Sequence, residues 1–246
     1  MKLSSNQEKL NKSLNIVNKI VGAKGSLPIL NNILLATDKG RLKLASTDLE
    51  VGITTWIGSK IDEEGSITVP AKVLTDFIST NDDEKINLEL KDSTLELTSN
   101  KFKAHIKGIE ASEFPLIPEV KSKKLFSLSV KSLQEAIRKV LFACAIDETR
   151  PVLTGVYLKV EGSVLKLAAT DSYRLAEATI NLEQKADRNT EVIVPSRTIS
   201  ELGRILTTAS KTIDVYLEEN QILFVLDDTQ IISRLIEGSF PDYKQI

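Results

Sequence analysis

The sequence predicts an α+β protein in which one structural unit occurs twice. Three observations carry this prediction: amphipathic stretches at helical spacing, short segments of alternating apolar and polar residues, and an internal repeat. Residues 26–48 align with residues 149–171 at an offset of 123 without a gap, and nine of the 23 positions are identical. Later in each copy, Val-Pro and Phe-Pro pairs keep the order of the repeat: Val69-Pro70 with Val194-Pro195, and Phe114-Pro115 with Phe240-Pro241.

Each copy is expected to contain two helices. The first helix of each copy carries apolar residues at i, i+4, i+7 and i+11, which form one helical face: Leu10, Leu14, Val17 and Val21, then Leu133, Ile137, Val140 and Cys144. A shorter helix follows each Val-Pro pair, where proline favours a helix start. Its apolar residues are Val73, Leu74, Phe77 and Ile78 in one copy, and Ile199, Leu202, Ile205 and Leu206 in the other.

The remaining segments of each copy alternate with period two, which is typical of antiparallel strands that face one core. The repeat itself holds one such pair, residues 41–45 and 164–168. Each copy then closes with a predicted hairpin. Residues 86–90 and 94–98 flank the polar turn 91–93, and residues 213–217 and 222–226 flank the turn 218–220. The polar stretch 119–124 separates the copies, so we place the domain boundary there, with domains 1–121 and 122–246.

The composition describes an ordinary globular protein with a net charge of −2 and a single cysteine, Cys144. One cysteine excludes an intrachain disulfide and favours a reducing compartment. The sequence contains neither a run of about 18 apolar residues nor a signal-peptide core. We therefore expect a cytoplasmic protein. The net charge argues against a protein that is basic over its whole surface, but positive charge concentrated on one surface stays possible.

Positive residues recur seven positions apart, close to two helical turns, so each pair is predicted to lie along one helix face. The pairs are Lys12 with Lys19, Lys131 with Arg138, and Arg197 with Arg204. Charged residues cover most exposed helices, so any single pair is explained by solvation alone. The same spacing on equivalent helices of two copies favours a basic surface on one side of the assembly, suited to sequence-independent phosphate contacts.

Residues that would carry catalysis are scarce, and no catalytic residue, metal site or cofactor is predicted. His105 is the only histidine, and Cys144 falls on an apolar helix face, where a buried structural thiol is the usual role. The acidic runs 62–64 and 82–84 flank predicted turns, where solvated carboxylates are expected rather than magnesium ligands. Asp48 and Asp171 each follow a threonine at a strand end, which indicates a shared turn or capping role.

Several motifs resemble the bacterial DNA polymerase III β subunit family, whose members are sliding clamps. They are Leu27-Pro-Ile-Leu30, Thr170-Asp-Ser-Tyr-Arg-Leu175, Val194-Pro195 and Glu237-Gly-Ser-Phe-Pro-Asp-Tyr243. The resemblance implies tandem DNA clamp domains, with helices lining the inside of a ring and antiparallel sheets outside. It implies a non-catalytic processivity factor that encircles duplex DNA without sequence preference and tethers polymerase. In the family, three such domains per chain and two chains close the ring head to tail.

The resemblance also assigns residues. It places Lys24 and Arg150 in basic loops near DNA, beside the six helix cations named above. It further implies a hydrophobic groove, shared with a third domain, that takes a short peptide with a glutamine and a hydrophobic pair from the polymerase, clamp loader or other partners. The groove residues carried over are Leu153, Thr170, Ser172, Tyr173, Arg174, Leu175, Pro241 and Ile246.

The third domain is absent from the 246 residues, so this polypeptide is expected to be a monomer that binds DNA weakly. Three alternatives stay open. A two-domain clamp would close as a trimer and would be distinguished by its size in solution. A metal-dependent nuclease would use the acidic runs and lose activity on chelation. A third possibility is a protein-interaction module without a DNA role. In that case the retention of a full ring on DNA would not depend on the helix cations.

Overall fold

The structure, a computed structural model, describes residues 1–22, 27–147, 149–206 and 211–245. It divides into two compact units. Residues 1–117 with 228–230 form the first, and residues 118–227 with 231–246 form the second. Two residues singled out from the sequence, Lys24 and Ile246, lie outside the described residues. The two units are described one at a time.

The first unit contains helices α1 (Gln7–Val17) and α2 (Ala71–Ser79) and two antiparallel sheets. One sheet has the strand order β5-β1-β7-β8-β9, and β4-β3-β2-β6 are consecutive neighbours in the other. The strands are β1 (Lys2–Asn6), β2 (Asn32–Asp38), β3 (Arg41–Thr47), β4 (Val51–Gly58), β5 (Lys60–Glu63), β6 (Ser66–Pro70), β7 (Lys85–Lys91), β8 (Thr94–Thr98) and β9 (Lys103–Lys107).

The second unit repeats this plan with helices α3 (Val130–Val140) and α4 (Ser196–Ile205). Its sheets contain the neighbouring strands β10-β15-β16-β17 and β13-β12-β11-β14. The strands are β10 (Lys124–Ser129), β11 (Gly155–Glu161), β12 (Val164–Thr170), β13 (Leu175–Asn181), β14 (Thr190–Pro195), β15 (Thr212–Glu218), β16 (Gln221–Leu226) and β17 (Thr229–Arg234). The predicted α+β class is confirmed.

In each unit the two helices pack side by side, and the first also packs on a sheet. The same side-chain type joins them in both copies. Gln7 Nε2 donates to the carbonyl of Ile78 at 2.6 Å, and Gln134 Nε2 donates to the carbonyl of Leu206 at 2.5 Å. These bonds satisfy carbonyls at helix C-termini, which lack partners within the helix. Within the second unit the approach is close, because a Cβ at Gly203 would lie 3.3 Å from Ile137.

The first helix of each unit is shorter than its apolar spacing predicts. Helix α1 ends at Val17, whose carbonyl accepts a hydrogen bond from the hydroxyl of Ser46, so Val21 lies beyond the helix. Helix α3 ends at Val140 and is followed by a 3-10 turn, so Cys144 is buried but not helical. A carbonyl at a helix C-terminus that already accepts a hydrogen bond from another segment does not require the N–H of a further helical turn.

Two smaller sequence predictions are wrong. Val73 of α2 is 51% exposed and does not belong to that helix's buried face, which is formed by Ala71, Leu74 and Ile78. The hairpin turns have two residues rather than three, because Lys91 and Glu218 still belong to strands. The first residues of these turns, Asp92 and Glu219, have φ of 51° and 42°, the left-handed backbone that two-residue hairpin turns require.

Candidate functional site

The loop after β12 is a tight turn built by Thr170 and Asp171. The Thr170 hydroxyl donates to the carbonyl of Arg174 at 2.8 Å and accepts from the N–H of Ser172 at 3.1 Å. Oδ1 of Asp171 accepts from the N–H groups of Tyr173 and Arg174, both at 3.0 Å. Four backbone groups are thereby satisfied by two side chains, so the backbone of residues 172–174 is fixed while their side chains remain free to face solvent.

The loop after β3 in the first unit has the same construction. The Thr47 hydroxyl donates to the carbonyl of Val51 at 2.9 Å and accepts from the N–H of Leu49 at 3.0 Å. Oδ1 of Asp48 accepts from the N–H groups of Glu50 and Val51 at 3.1 and 2.8 Å. Leu49 and its counterpart Ser172 both have φ of 77°. The shared turn role predicted for Asp48 and Asp171 is confirmed.

The turn of the second unit borders an open depression with a volume of about 470 Å³. Its wall combines the two guanidinium groups of Arg150 and Arg174 with apolar side chains, an arrangement suited to a ligand that is partly apolar and partly polar. Arg150 Nη1 donates to the Ser172 hydroxyl at 3.5 Å. The lining residues are Cys144, Ala145, Ile146, Asp147, Thr149, Arg150, Leu153, Asp171, Ser172, Tyr173 and Arg174.

Large apolar side chains are exposed at this depression. Tyr173 is 98% exposed and Ile146 is 94% exposed, and both line it. Phe142, 59% exposed, contacts Arg174, which is also part of the wall. Isolated exposed apolar residues are common on proteins, but a cluster of them beside polar groups marks an interaction surface.

Arg174 is held from two directions. Its Nε donates to Oδ2 of Asp171 at 2.9 Å, and its Cζ lies 5.6 Å from the centroid of the Phe142 ring. The backbone N–H of Tyr173, followed by that of Arg174 and the Arg174 charge, holds the pKa of the Asp171 carboxyl below its ordinary value. Asp171 therefore stays ionised at neutral pH and can pair with Arg174.

The groove residues predicted from the sequence do not all line this depression. Leu153, Ser172, Tyr173 and Arg174 do, and so does Arg150, which the resemblance places near DNA. Thr170 is buried, and its hydroxyl is engaged in the turn that carries them. Leu175 and Pro241 are exposed but are not among the lining residues, and Ile246 lies outside the described residues.

Pro241 belongs to a segment that aromatic contacts hold onto the second unit. The ring of Phe240 stacks on Tyr157 with centroids 4.9 Å apart. The hydroxyl of Tyr243 donates to Glu177 at 2.5 Å, and that of Tyr157 donates to Glu191 at 2.6 Å. Burial and the neighbouring carboxylates raise the pKa of both tyrosines, so both remain protonated donors.

Sequence reasoning missed Phe142 and Ile146, and their signal was weak. Both residues lie in the chain just after the end of α3. An apolar residue at such a place is easily assigned to the buried face of the helix. Cys144, between them, does behave as a structural thiol, because burial raises its pKa to about 11. A thiol with that pKa is protonated at neutral pH and is a poor nucleophile.

The cations predicted to contact DNA differ in their setting. Lys131 and Arg138 are exposed on α3, and Arg204 is exposed on α4, where it pairs with Glu201 at 2.8 Å. Arg197 of α4 is half-buried. Lys12 is exposed on α1 and pairs with Glu8 at 2.6 Å. The Lys12–Glu8 pair is exposed on both sides, and such pairs are weak, so Lys12 keeps its side chain accessible to a phosphate. The Arg204 side chain is exposed as well, although its partner Glu201 is buried.

The prediction that Lys12 and Lys19 share one helix face is wrong. Helix α1 ends at Val17, and Lys19 lies in the following turn, where its N–H donates to the carbonyl of Ile16. The seven-residue spacing therefore stays within a single helix for α3 and α4 but not for α1.

The groups considered for catalysis have structural surroundings. His105 is exposed on β9, with Nδ1 3.5 Å from Glu96. Asp83, expected to be solvated, is instead buried and accepts from the N–H of Lys101 at 3.1 Å. Within residues 1–22, 27–147, 149–206 and 211–245, no group of three or more His, Cys, Asp or Glu residues could hold a metal ion. The helices in that part of the chain include none long and apolar enough to cross a membrane.

Comparison with known proteins assigns the family. Residues 1–118 match the N-terminal domain of the DNA polymerase III beta subunit, and residues 127–242 match its central domain. The beta sliding clamp of Synechococcus elongatus is 38% identical over 252 residues, covering 100% of this chain and 67% of that protein. The clamp of Synechocystis sp. is 34% identical and is covered over 68% of its length.

Solved structures agree in fold. The sliding clamp of Bacillus subtilis superposes with a TM-score of 0.96 at 28% identity, and the β subunit of Pseudomonas aeruginosa with 0.93 at 30%. Each match covers 100% of this chain and 67% of the other. The chain thus spans about two thirds of the length of these relatives. With both domain models matched in order along nearly all of its length, the chain belongs to the DNA polymerase III beta subunit family, the beta sliding clamps.

Proposed function

We propose that this chain acts as a DNA sliding clamp, a non-catalytic processivity factor that encircles duplex DNA and tethers the replicative polymerase. The observation that carries the proposal is the ordered match of residues 1–118 and 127–242 to the N-terminal and central domains of the β subunit. We accordingly assign residues 1–121 to the first clamp domain and 122–246 to the second. We also propose a cytoplasmic location, which fits an action on DNA.

The DNA contact of this proposal is electrostatic and independent of sequence. A chain of net charge −2 can bind phosphates only where cations are concentrated, and the exposed residues Lys131, Arg138 and Arg204 supply such a concentration on the second unit's helices. The full proposed set is Lys12, Lys19, Lys24, Lys131, Arg138, Arg150, Arg197 and Arg204.

The partner contact of this proposal is the depression beside the Thr170–Asp171 turn. Its exposed apolar side chains and two guanidinium groups suit a short peptide with a hydrophobic pair and a polar residue. The polymerase catalytic subunit, the clamp loader and other clamp-binding proteins would supply such peptides. Leu175, Pro241 and Ile246 remain in the proposed groove on the family resemblance alone.

We further propose that the functional ring is a homodimer in which each chain supplies three clamp domains. Because this chain spans about two thirds of its relatives, the 246-residue polypeptide is expected to be a monomer by itself. Multi-angle light scattering should give a mass near 27.2 kDa. A mass three times larger would favour the two-domain clamp that closes as a trimer, and a dimer mass would also contradict the proposal.

The DNA contact is tested by the salt dependence of duplex binding, measured by fluorescence anisotropy between about 20 and 150 mM salt. For every phosphate that the protein no longer neutralises, the slope of log K against log salt should become shallower by about 0.9. The triple variant Lys131→Ala, Arg138→Ala and Arg204→Ala should therefore bind more weakly and with a smaller slope than the unsubstituted chain.

The matched control is the double variant Lys121→Ala and Lys185→Ala, which removes exposed lysines outside the helices of the second unit. Its slope should equal that of the unsubstituted chain. Equal slopes for the triple variant and the unsubstituted chain would overturn the assignment of these helices to DNA and would favour an interaction module without a DNA role.

A further inference from the structure

Arg174 is held in position by contacts of both its backbone and its side chain. Its backbone is fixed at both ends, because its N–H donates to Asp171 and its carbonyl accepts from Thr170. Its guanidinium then has an anion at one edge, through Nε, and an aromatic ring at its face. A long side chain held in this way loses little further conformational freedom when it binds a ligand.

The contact with Asp171 uses Nε and Oδ2, which leaves the two Nη groups of Arg174 for a ligand. Among the described residues, neither Nη has a hydrogen-bond partner. Oδ1 of the same carboxylate is occupied by the turn's backbone N–H groups. The Asp171 carboxylate therefore fixes the turn through Oδ1 and the direction of the Arg174 guanidinium through Oδ2.

The contact with Arg174 gives the exposed ring of Phe142 a partner at the surface. Phe142 lies in the 3-10 turn after α3, next to the buried residues Ala143 and Cys144, yet is itself 59% exposed. An aromatic face attracts a guanidinium placed within about 6 Å of its centroid, and the Arg174 distance of 5.6 Å meets that condition. Phe142 is not itself among the residues that line the depression, but it contacts Arg174, which is.

We infer that Phe142 and Asp171 are positioning residues that hold the Arg174 guanidinium in place for the partner peptide. The inference rests on the proposed peptide site and adds to it a mechanism: the arginine is pre-oriented, so the peptide does not have to order it. Phe142 acts through Arg174, which means that its contribution should disappear when Arg174 is removed.

The test uses the 246-residue chain and a fluorescein-labelled peptide that contains a glutamine and a Leu-Phe pair. Phe142→Leu keeps an apolar side chain but removes the aromatic face, and it should weaken binding about two- to fivefold. Phe142→Tyr keeps the ring and should bind within about twofold of the unsubstituted chain. Phe102→Leu is the matched control, because Phe102 is also about half exposed but lies in the first unit, and it should change nothing.

Two measurements separate positioning from direct contact. In a double-mutant cycle, Phe142→Leu should have no further effect on peptide affinity in an Arg174→Ala background. The NMR order parameter of the Arg174 Nε–H bond should fall in Phe142→Leu and in Asp171→Asn, and it should recover in Phe142→Tyr. Asp171→Asn preserves a carbonyl oxygen for the turn, so its effect reports on the guanidinium contact.

The outcomes are distinct. Failure of the unsubstituted chain to bind any such peptide overturns the proposal that the depression by itself is a peptide site and, with it, the role of Phe142 there. Binding that is unaffected by Phe142→Leu overturns the positioning role alone. Weaker binding by Phe142→Leu that persists without Arg174 also overturns it, because Phe142 then contacts the peptide itself. An unchanged order parameter in both variants would show that Arg174 is not held as inferred.

Discussion

The Thr47–Asp48 turn of the first unit and the Thr170–Asp171 turn of the second share a backbone and differ in their side chains. In both, the threonine hydroxyl and the aspartate Oδ1 satisfy equivalent backbone groups, and the third residue has φ of 77°. The fifth residue differs most. Val51 is 2% exposed and belongs to the core, whereas Arg174 is exposed at the depression.

This difference shows which part of a duplicated unit is constrained by folding. Hydrogen bonds from Thr and Asp determine the turn, so both copies keep those residues. The side chains that the turn presents are not needed for its geometry. The first copy uses the fifth position for packing, and the second is free to present Tyr173 and Arg174 to a partner.

Exchanging the fifth residues should have the largest effect on stability. Val51→Arg places a cation in the core and should lower the free energy of unfolding of the first unit by about 3–5 kcal/mol. Arg174→Val removes exposed contacts only and should cost less than about 1 kcal/mol. Urea unfolding followed by circular dichroism measures both. Similar costs for the two variants would contradict the contrast between a core position and a presented position.

Removing the aspartates should have a smaller effect in both turns. Asp48→Ala and Asp171→Ala each leave two backbone N–H groups without their acceptor, at a cost of about 1–2 kcal/mol. Asp48→Ala should cost more, because its bond to Val51 is part-buried while both bonds from Asp171 are exposed. The corresponding Asn variants, which keep an oxygen acceptor, serve as controls. A larger cost for Asp171→Ala would reverse the predicted order.

Glycine at the third position should stabilise both turns slightly. A left-handed backbone costs an L-residue about 1–2 kcal/mol, and glycine recovers part of this while adding freedom to the unfolded chain. We expect Leu49→Gly and Ser172→Gly to gain about 0.5 kcal/mol. Leu49→Ala, which removes the same side chain without relieving the backbone, should show no gain. Destabilisation by both glycine variants would argue against the shared φ.

The pH dependence of the second turn should be the smallest effect. The folded pKa of Asp171 is lowered, chiefly by the N–H of Tyr173, so its stabilising contribution is complete above the ordinary value of 3.8 and is lost as pH falls through the folded value. Between pH 5 and pH 8, about the usual working range, the amide shifts of residues 173 and 174 should not report its titration. A transition above pH 3.8 that is absent in Asp171→Asn would contradict this.

Much of the fold could be predicted from the sequence because its signals are local. The repeat, the alternating strands and the Thr-Asp pairs need only neighbouring residues to be recognised. The end of α1 could not be predicted, because its last carbonyl bonds to Ser46, 29 positions later in the chain. Val73 matched the spacing of a buried face only in part, and packing around α2 left it exposed.

The candidate site, like the fold, could be predicted only where its signals are local in the sequence. The turn residues and Leu153 could be carried over from motifs of the family. The contact between Phe142 and Arg174 joins residues 32 positions apart through side-chain placement, for which the sequence contains no periodic signal. The early end of α1 also removed Lys19 from the predicted basic face, an error that follows from the hydrogen bond of Ser46.

The central claim is that the second copy of the Thr-Asp turn, and not the first, presents a partner site. Amide NMR of the 246-residue chain, titrated with the peptide that contains a glutamine and a Leu-Phe pair, tests it directly. We predict shift changes concentrated in residues 144–150 and 171–175, with residues 47–51 unchanged. Equal changes at both turns, or changes at residues 47–51 alone, would contradict the claim.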